Sequence, residues 1–216
     1  MQFDPFGWLA RYAPETLLHR LIRAGMVLVL VTFLILRIRE YPLFDLKPLW
    51  VAETLLFSVI IVAFLVRTAP RDRSRGVREI LVPLLASLLP FALLLSPLAA
   101  LVIANRSLLY GILWWMTIAT GLTVWGMWTL RCAFSITVEA RTLITGGPYR
   151  FVRHPVYLGE MLTAAGVAVL RLSPLNVLIF VLIVALQIMR SRWEEAKLAR
   201  NFPEYRDFAA RSPWFW

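Results

Sequence analysis

The residues best suited to chemistry are concentrated in two short polar segments near the end of an otherwise apolar chain. The first segment, residues 145–160, combines glycines, a histidine, tyrosines, arginines and a glutamate, and the second, residues 192–205, contains the adjacent carboxylates Glu194 and Glu195. The segments flank the last two apolar blocks, so a helical hairpin of those blocks would bring them together. Carboxylates accept hydrogen bonds from ribose hydroxyls or an ammonium, which suits a polar, cationic or nucleotide-like cofactor beside a lipid-borne substrate.

The first polar segment predicts a turn followed by a helix. Gly146-Gly147-Pro148 is a turn signal, and Pro155 suits the first position of a helix, where its missing N–H costs nothing. His154 is then expected to cap that helix at the membrane surface. Tyr157 and Glu160 follow one helical step apart on a shared face.

Glu160 is unusual because it falls inside an apolar block. It lies about five residues into the helix, roughly 7 Å deep at 1.5 Å per residue. An ionisable group at such a depth is costly, so it is either functional or paired. Two interpretations stay open: a site residue, or a structural ion pair with Arg150 or Arg153.

A second polar feature runs along the last apolar block. Gln187, Arg190 and Glu194 stand at i, i+3 and i+7, which places them on one helical stripe. A solvated helix end with ordinary ion pairs would give the same spacing. Gln187 favours a site, because a buried amide must find hydrogen-bond partners.

The composition indicates an integral membrane protein. Of the 216 residues, 60% are hydrophobic and 17% are charged, against about 45–50% and about 25% in soluble domains. These values exclude a disordered chain and argue against an ordinary soluble domain. The net charge of +10 comes from basic residues between apolar blocks, which favours contact with anionic membrane lipids over nucleic acid. The predicted fold class is all-α, a polytopic transmembrane helix bundle.

Six apolar blocks give the expected number of spans, with five as the alternative. Three of them approach the ~20 residues that a crossing helix needs. The six blocks are Ala24–Leu36, Thr54–Val66, Ile80–Ala104, Leu108–Leu130, Val156–Leu170 and Leu172–Met189. Prolines 83, 90 and 97 recur inside the third block and predict kinks.

The distribution of basic residues predicts the orientation. With six spans, one face carries 18 Lys+Arg and the other carries 5, as the positive-inside rule expects. We therefore expect a multi-pass protein with both termini in the cytoplasm. A prokaryotic inner membrane is its expected location. After the last span, a cytoplasmic amphipathic helix is expected to rest Trp193, Leu198, Phe202 and Phe208 on the membrane surface.

Several classes of site have no support in the sequence. Cys132 is the single cysteine, and His19 and His154 are the two histidines, so neither a disulfide framework nor a metal centre is expected. There is no phosphate-binding or dinucleotide-binding glycine loop. The prediction for metal is none.

Three motifs occur in a fixed order over about residues 125–213. They are Leu130-Arg131 with Phe134-Ser135; Gly147-Pro148-Tyr149-Arg150-Phe-Val-Arg153-His154-Pro155-Val-Tyr157-Leu-Gly159; and Glu194-Glu195 with Leu198, Phe202 and Glu204-Tyr205. This ordered set resembles the isoprenylcysteine carboxyl methyltransferase and phospholipid methyltransferase family. The resemblance implies an integral membrane enzyme that uses S-adenosyl-L-methionine. It also implies a division into N-terminal transmembrane helices, 1–125, and a catalytic region, 126–216.

The resemblance implies a cytoplasm-facing cofactor pocket closed by the segment after the last span. The positions that match the family's cofactor-binding residues are Gly147, Pro148, Tyr149, His154, Tyr157, Leu158, Glu194 and Glu195. To these we add Gln187 from the polar stripe. Methyl transfer from a sulfonium needs the acceptor aligned behind the methyl group, so proximity and orientation would dominate catalysis.

The implied substrate is lipophilic and enters between the helices from the bilayer. It is a prenyl- or phospholipid-like molecule, or a prenylated one, with a carboxylate, thiol or amine as acceptor. Arg153, Glu195 and Arg200 are the predicted catalytic residues, with an arginine steering an anionic acceptor, and Arg150 and Glu160 are predicted to contact the substrate. The sequence determines neither the oligomeric state nor the acceptor.

Two other functions stay open at this point. Glu160 after Leu-Gly, with His-Pro-x-Tyr before it, is similar to the membrane sterol and steroid reductases that use NADPH, although the Glu194-Glu195 pair favours the methyltransferases. A non-catalytic scaffold or small transporter is the third class. The tail Trp214-Phe215-Trp216 is expected to anchor at the membrane interface, with part of a substrate gate as the alternative.

Overall fold

The computed structural model describes residues 15–68, 70–74 and 76–215. Over these residues the chain is all-α, and the one piece of β structure is an isolated bridge between Asp72 and Ala140. The predicted fold class is therefore confirmed. The side chain of His19 and all of Trp216 lie outside the described residues.

The described residues contain eight α-helices. They are α1 (Glu15–Arg39), α2 (Lys47–Val66), α3 (Arg78–Leu88), α4 (Ala100–Ala104), α5 (Arg106–Leu130), α6 (Pro155–Leu170), α7 (Pro174–Asn201) and α8 (Tyr205–Arg211). Short 3₁₀ helices cover Tyr41–Leu43, Leu89–Leu95, Arg131–Ala133 and Gly147–Arg150.

Four helical stretches of the described chain are long and apolar enough to cross a membrane. They are Lys47–Val66, Arg78–Leu95, Arg106–Ala133 and Pro174–Asn201, while Pro155–Leu170 is apolar but shorter. Helix α1 has 25 residues, but arginines flank its apolar centre. The chain is thus a helical membrane protein. Its six-span count and the orientation of its termini stay predictions.

The third apolar block does not form one helix. It consists of α3, the 3₁₀ helix Leu89–Leu95, an extended residue at Ser96, and α4. Proline removes a backbone donor and cannot continue an α-helix undisturbed, which explains the breaks. Asn176 of α7 stabilises the break, because its Nδ2 donates to the carbonyl of Leu93 at 3.1 Å while its Oδ1 accepts from Ser96 Oγ at 3.1 Å.

Helices α5 and α6 pack closely against each other, and glycines allow it. A Cβ at Gly159 would lie 2.8 Å from the carbonyl oxygen of Ala119 and 2.9 Å from the backbone nitrogen of Thr123. A Cβ at Gly126 would likewise meet a side chain of α6, and a Cβ at Gly166 would meet a side chain of α5. This close packing fixes the start of α6 against the end of α5. The predicted domain boundary at 125/126 falls within α5 and stays a prediction.

The C-terminal segment packs differently from the prediction. Helix α7 continues without interruption from the last span to Asn201, so the amphipathic stretch is part of α7. Phe202 and Phe208 are buried with Tyr149 and Tyr205 in one cluster instead of lying on the membrane surface. The chain after α7 therefore covers the segment that precedes α6.

Candidate functional site

The hairpin of α6 and α7 brings the two polar segments into direct contact. His154 Nε2 lies 3.0 Å from Glu195 Oε1, and Arg153 Nη1 donates to Glu195 Oε2 at 3.2 Å. The hydroxyl of Tyr157 donates to Glu194 Oε2 at 2.6 Å. The two polar segments thus meet, as the sequence predicted, and both carboxylates are held by side chains at or just before the start of α6.

The turn before α6 depends on local backbone chemistry. Gly147 has a φ of +58°, a left-handed conformation that glycine adopts at little cost. A Cβ there would also lie 2.8 Å from Thr129 Oγ1 at the end of α5. Pro148 and Tyr149 are buried in the short 3₁₀ helix that follows, and Ser212 Oγ donates to the carbonyl of Tyr149 at 3.0 Å. The turn is therefore held from both sides.

Aromatic stacking orders the site. The rings of His154 and Tyr157 stack with centroids 5.4 Å apart and an interplanar angle of 6°. The guanidinium of Arg190 covers Tyr157, with Cζ 4.5 Å from the ring centroid, a favourable cation–π geometry. Arg190 Nη2 also donates to the carbonyl of Ser135 at 3.2 Å. These contacts leave Tyr157 little freedom to turn its hydroxyl away from Glu194.

Glu160 is paired, but with a different partner from those expected. Gln187 Nε2 donates to Glu160 Oε2 at 2.5 Å, so neither Arg150 nor Arg153 is its ion-pair partner. Gln187 is 1% exposed, and its Oε1 accepts no hydrogen bond from the residues that the structure describes. A buried amide oxygen without a donor is a place where a ligand's N–H or O–H would be stabilised.

Two phenols outside the spans stay neutral beside these carboxylates. Burial, and then the negative charge of Glu194, raise the pKa of Tyr149 well above its ordinary value. Burial and the charge of Glu195 raise the pKa of Tyr205 in the same way. Desolvation disfavours the charged phenolate, so both hydroxyls keep their protons at neutral pH.

The structure does not bring every predicted site residue to this cluster. The side chain of Arg200 is 66% exposed and lies 3.9 Å from Asp72, and Arg150 is exposed and covers the ring of Phe151. Leu158 is half-buried against the core beneath the site. Their predicted roles stay predictions, while Arg153 lies at the centre of the cluster.

The tail is a site element that the sequence reasoning assigned to the membrane interface. Phe215 is buried, and its ring centroid lies 5.6 Å from that of His154. The backbone N–H of Arg153 donates to the carbonyl of Pro213 at 2.9 Å. The preference for an interfacial anchor is therefore wrong for Phe215. The sequence of a short aromatic tail has no periodicity that would distinguish contact with the membrane from burial against the protein.

These features define a helical membrane protein with a polar site between its last two long helices. Residues 99–205 match the model of the phospholipid methyltransferase family, and this segment, about half of the chain, belongs to that family. The resemblance read from the sequence is confirmed, and the match supports membrane methyltransferase activity. The described residues contain no group of three or more His, Cys, Asp or Glu arranged to hold a metal ion.

Two curated proteins are similar to part of the chain. The nickel-cobalt-cadmium resistance protein NccN of Alcaligenes xylosoxydans xylosoxydans is 36% identical over 99 residues, 44% of this chain and 46% of its own length. The cobalt-zinc-cadmium resistance protein CzcN of Cupriavidus metallidurans is 35% identical over 95 residues, 43% of each chain. The chain thus spans less than half the length of these relatives.

Proposed function

We propose that the protein transfers a methyl group from S-adenosyl-L-methionine to a lipophilic acceptor embedded in the membrane. The observation that carries the proposal is the geometry of Glu194 and Glu195, each held by a donor from the start of α6 inside a segment that matches a methyltransferase family. The acceptor is the carboxylate, thiol or amine of a prenyl- or phospholipid-like molecule.

The residues present fit such a cofactor. S-adenosyl-L-methionine supplies an activated methyl group on a sulfonium and carries an ammonium and ribose hydroxyls. Glu194 and Glu195 offer carboxylate oxygens for those donors, each oxygen accepting more than one hydrogen bond. Gln187 adds a buried amide oxygen without a donor among the described residues. These are acceptor groups beside a cationic ligand, and electrostatics favours the combination.

The chain's own residues would contribute orientation more than proton transfer. Tyr157 and His154 hold the carboxylates and present a stacked aromatic surface. Phe215 and the aromatic cluster of the C-terminal segment cover the site and keep water away. Such fixed placement of two reactants accounts for a large part of a barrier when little acid–base chemistry is needed. Arg153 holds Glu195 and is available to orient an anionic acceptor.

The decisive experiment is binding followed by transfer. Purified protein in nanodiscs should bind S-adenosylhomocysteine in calorimetry, and labelled S-adenosyl-L-methionine should label one lipid of a native extract, identified by mass spectrometry. Glu195→Gln should abolish binding, because the pairs to His154 and Arg153 lose their charge. Glu204→Gln is the matched control, since Glu204 is exposed.

The competing function makes the opposite prediction. A membrane reductase on this scaffold would bind NADPH and ignore S-adenosylhomocysteine. That result would refute the proposed transferase. Binding of neither ligand to folded protein would favour the scaffold or transporter class.

A further inference from the structure

A second cluster of charged residues lies outside the site, where α1, α2 and the segment before α6 meet. Arg23 of α1 donates to the carbonyls of Leu65 and Arg67, both at 3.4 Å. Burial and the positive charge of Arg141 lower the pKa of Arg67, the negative charge of Glu139 raises it, and the charge of Arg23 lowers it. The backbone N–H of Arg71 donates to the carbonyl of Ala140 at 2.8 Å, so the segment after Arg67 lies against the residue before Arg141. Guanidinium groups from three elements thus lie in one region. Arginine stays charged in such surroundings.

Glu139 is the carboxylate of this cluster, and three donors already occupy it. Glu139 accepts from Ser135 Oγ at 2.9 Å, from Thr137 Oγ1 at 3.1 Å and from Arg141 Nη2 at 2.5 Å. Among the residues that the structure describes, Arg67 has no ion-pair partner of its own. The cluster carries an excess of positive charge.

Arg141 adds an unsatisfied donor to the cluster. It is 6% exposed, and its Nε has no hydrogen-bond partner within the described parts of the chain. A buried guanidinium N–H without an acceptor costs free energy, and an anion would recover it. An arginine fork is the side-chain geometry that binds phosphate or carboxylate through paired hydrogen bonds.

The position of the cluster indicates where its anion comes from. Leu65 and Val66 are 53% and 49% exposed at the end of α2, a helix apolar enough to cross the membrane. The apolar surface ends at Arg67, which is half-buried. Arginine at the end of a membrane-facing apolar surface lies at the level of the lipid headgroups.

We propose that Arg67 and Arg141 form a binding site for the anionic headgroup of a membrane lipid, with Arg67 as the accessible donor and Arg141 as the buried charge behind it. The site shares no residue with the Glu194–Glu195 pair, although Ser135 contacts both Glu139 and Arg190, and it does not depend on the transferase function. Arg23 holds Arg67 in place through its backbone carbonyl.

Native mass spectrometry from a neutral detergent tests the site with two probes, phosphatidylglycerol and phosphatidylcholine. The unaltered protein should retain phosphatidylglycerol more tightly. Arg67→Gln should weaken that binding about tenfold or more, because a charge-assisted hydrogen bond is lost, and should leave phosphatidylcholine binding unchanged. Arg206→Gln, which removes the same charge from an exposed position on α8, is the matched control and should change neither.

Three outcomes would overturn the proposal. Equal retention of phosphatidylglycerol by the unaltered protein and Arg67→Gln would show that Arg67 does not bind it. An equal loss in Arg206→Gln would indicate diffuse attraction to basic surface. Displacement of the lipid by inorganic phosphate would indicate a site for a free anion. Binding of S-adenosylhomocysteine, measured on the same samples, reports on the proposed function independently, so the two can fail separately.

Discussion

Tyr157→Phe isolates one hydrogen bond of the candidate site. The substitution removes the hydroxyl that donates to Glu194 Oε2 at 2.6 Å and keeps the ring between His154 and Arg190. A hydrogen bond to a charged group contributes about 1.5–3 kcal/mol, and 1.4 kcal/mol corresponds to a factor of about ten in affinity. Because the bond also forms without ligand, this energy is an upper limit, and we expect affinity for S-adenosylhomocysteine to fall by up to about 150-fold.

The assay compares calorimetric affinity with thermal unfolding of the same nanodisc preparation. The midpoint of unfolding should fall as well, because the folded protein loses the same hydrogen bond, although the ring and its stacking remain. Tyr110→Phe is the control, since Tyr110 is 40% exposed on α5 and its hydroxyl is far along the chain from either polar segment. Unchanged or increased affinity in Tyr157→Phe would refute the role given to Glu194. A lower unfolding midpoint with unchanged affinity would make the hydrogen bond structural.

Three further substitutions test the elements around the site. Gly159→Ala should destabilise the protein by about 1–3 kcal/mol, because its Cβ would meet backbone atoms of α5 within 3 Å; chemical denaturation measures the loss. Lys197→Met should lower the free energy of unfolding by about 3–5 kcal/mol, since its buried ammonium donates to Glu79 Oε2 at 2.6 Å and to the carbonyls of Arg73 and Val138. Phe215→Ala should expose the tail to carboxypeptidase digestion and weaken cofactor binding.

A control variant or a contradicting result tests each of these three predictions. Gly121→Ala has open space around its Cβ and should be neutral or stabilising, because alanine favours helix more than glycine does, so a loss equal to that of Gly159→Ala would show that packing against α5 is not responsible. Arg200→Met is the control for Lys197→Met, because it introduces the same side chain at an exposed position of α7. It should lower the free energy of unfolding only slightly. Protection of the Phe215→Ala tail from digestion would mean that Pro213 and Ser212 alone hold it in place.

The sequence predicted the centre of the site because its determinants are local. Pro155 fixes the start of α6, so His154 and Tyr157 lie on neighbouring turns of known spacing. The adjacent pair Glu194-Glu195 needed only the hairpin to reach them. The prolines that break the third block were visible in the sequence. The side chain that stabilises the break, Asn176, comes from α7 and could not have been identified by spacing.

Long-range pairing explains what the sequence could not show. Lys197 stands in a run of charged residues that resembles a solvated helix end, yet it is 1% exposed and pairs with Glu79, 118 positions earlier. The periodicity of Phe202 and Phe208 is equally compatible with a membrane surface and with a protein surface. Which surface an amphipathic segment covers is decided by tertiary contacts, and these have no local signature.

Glu194 and Glu195 are adjacent in the sequence but are held by different donors, so their two carboxylates are fixed in different directions. Neighbouring residues on an α-helix point about 100° apart, so one carboxylate meets Tyr157 while the other meets His154 and Arg153. Because His154 and Tyr157 stack on each other, moving either ring disturbs both carboxylates. Lys197, two residues beyond the pair, ties this turn of α7 to Arg73, Glu79 and Val138. The carboxylates are therefore fixed from two sides, as a site that works by orientation requires.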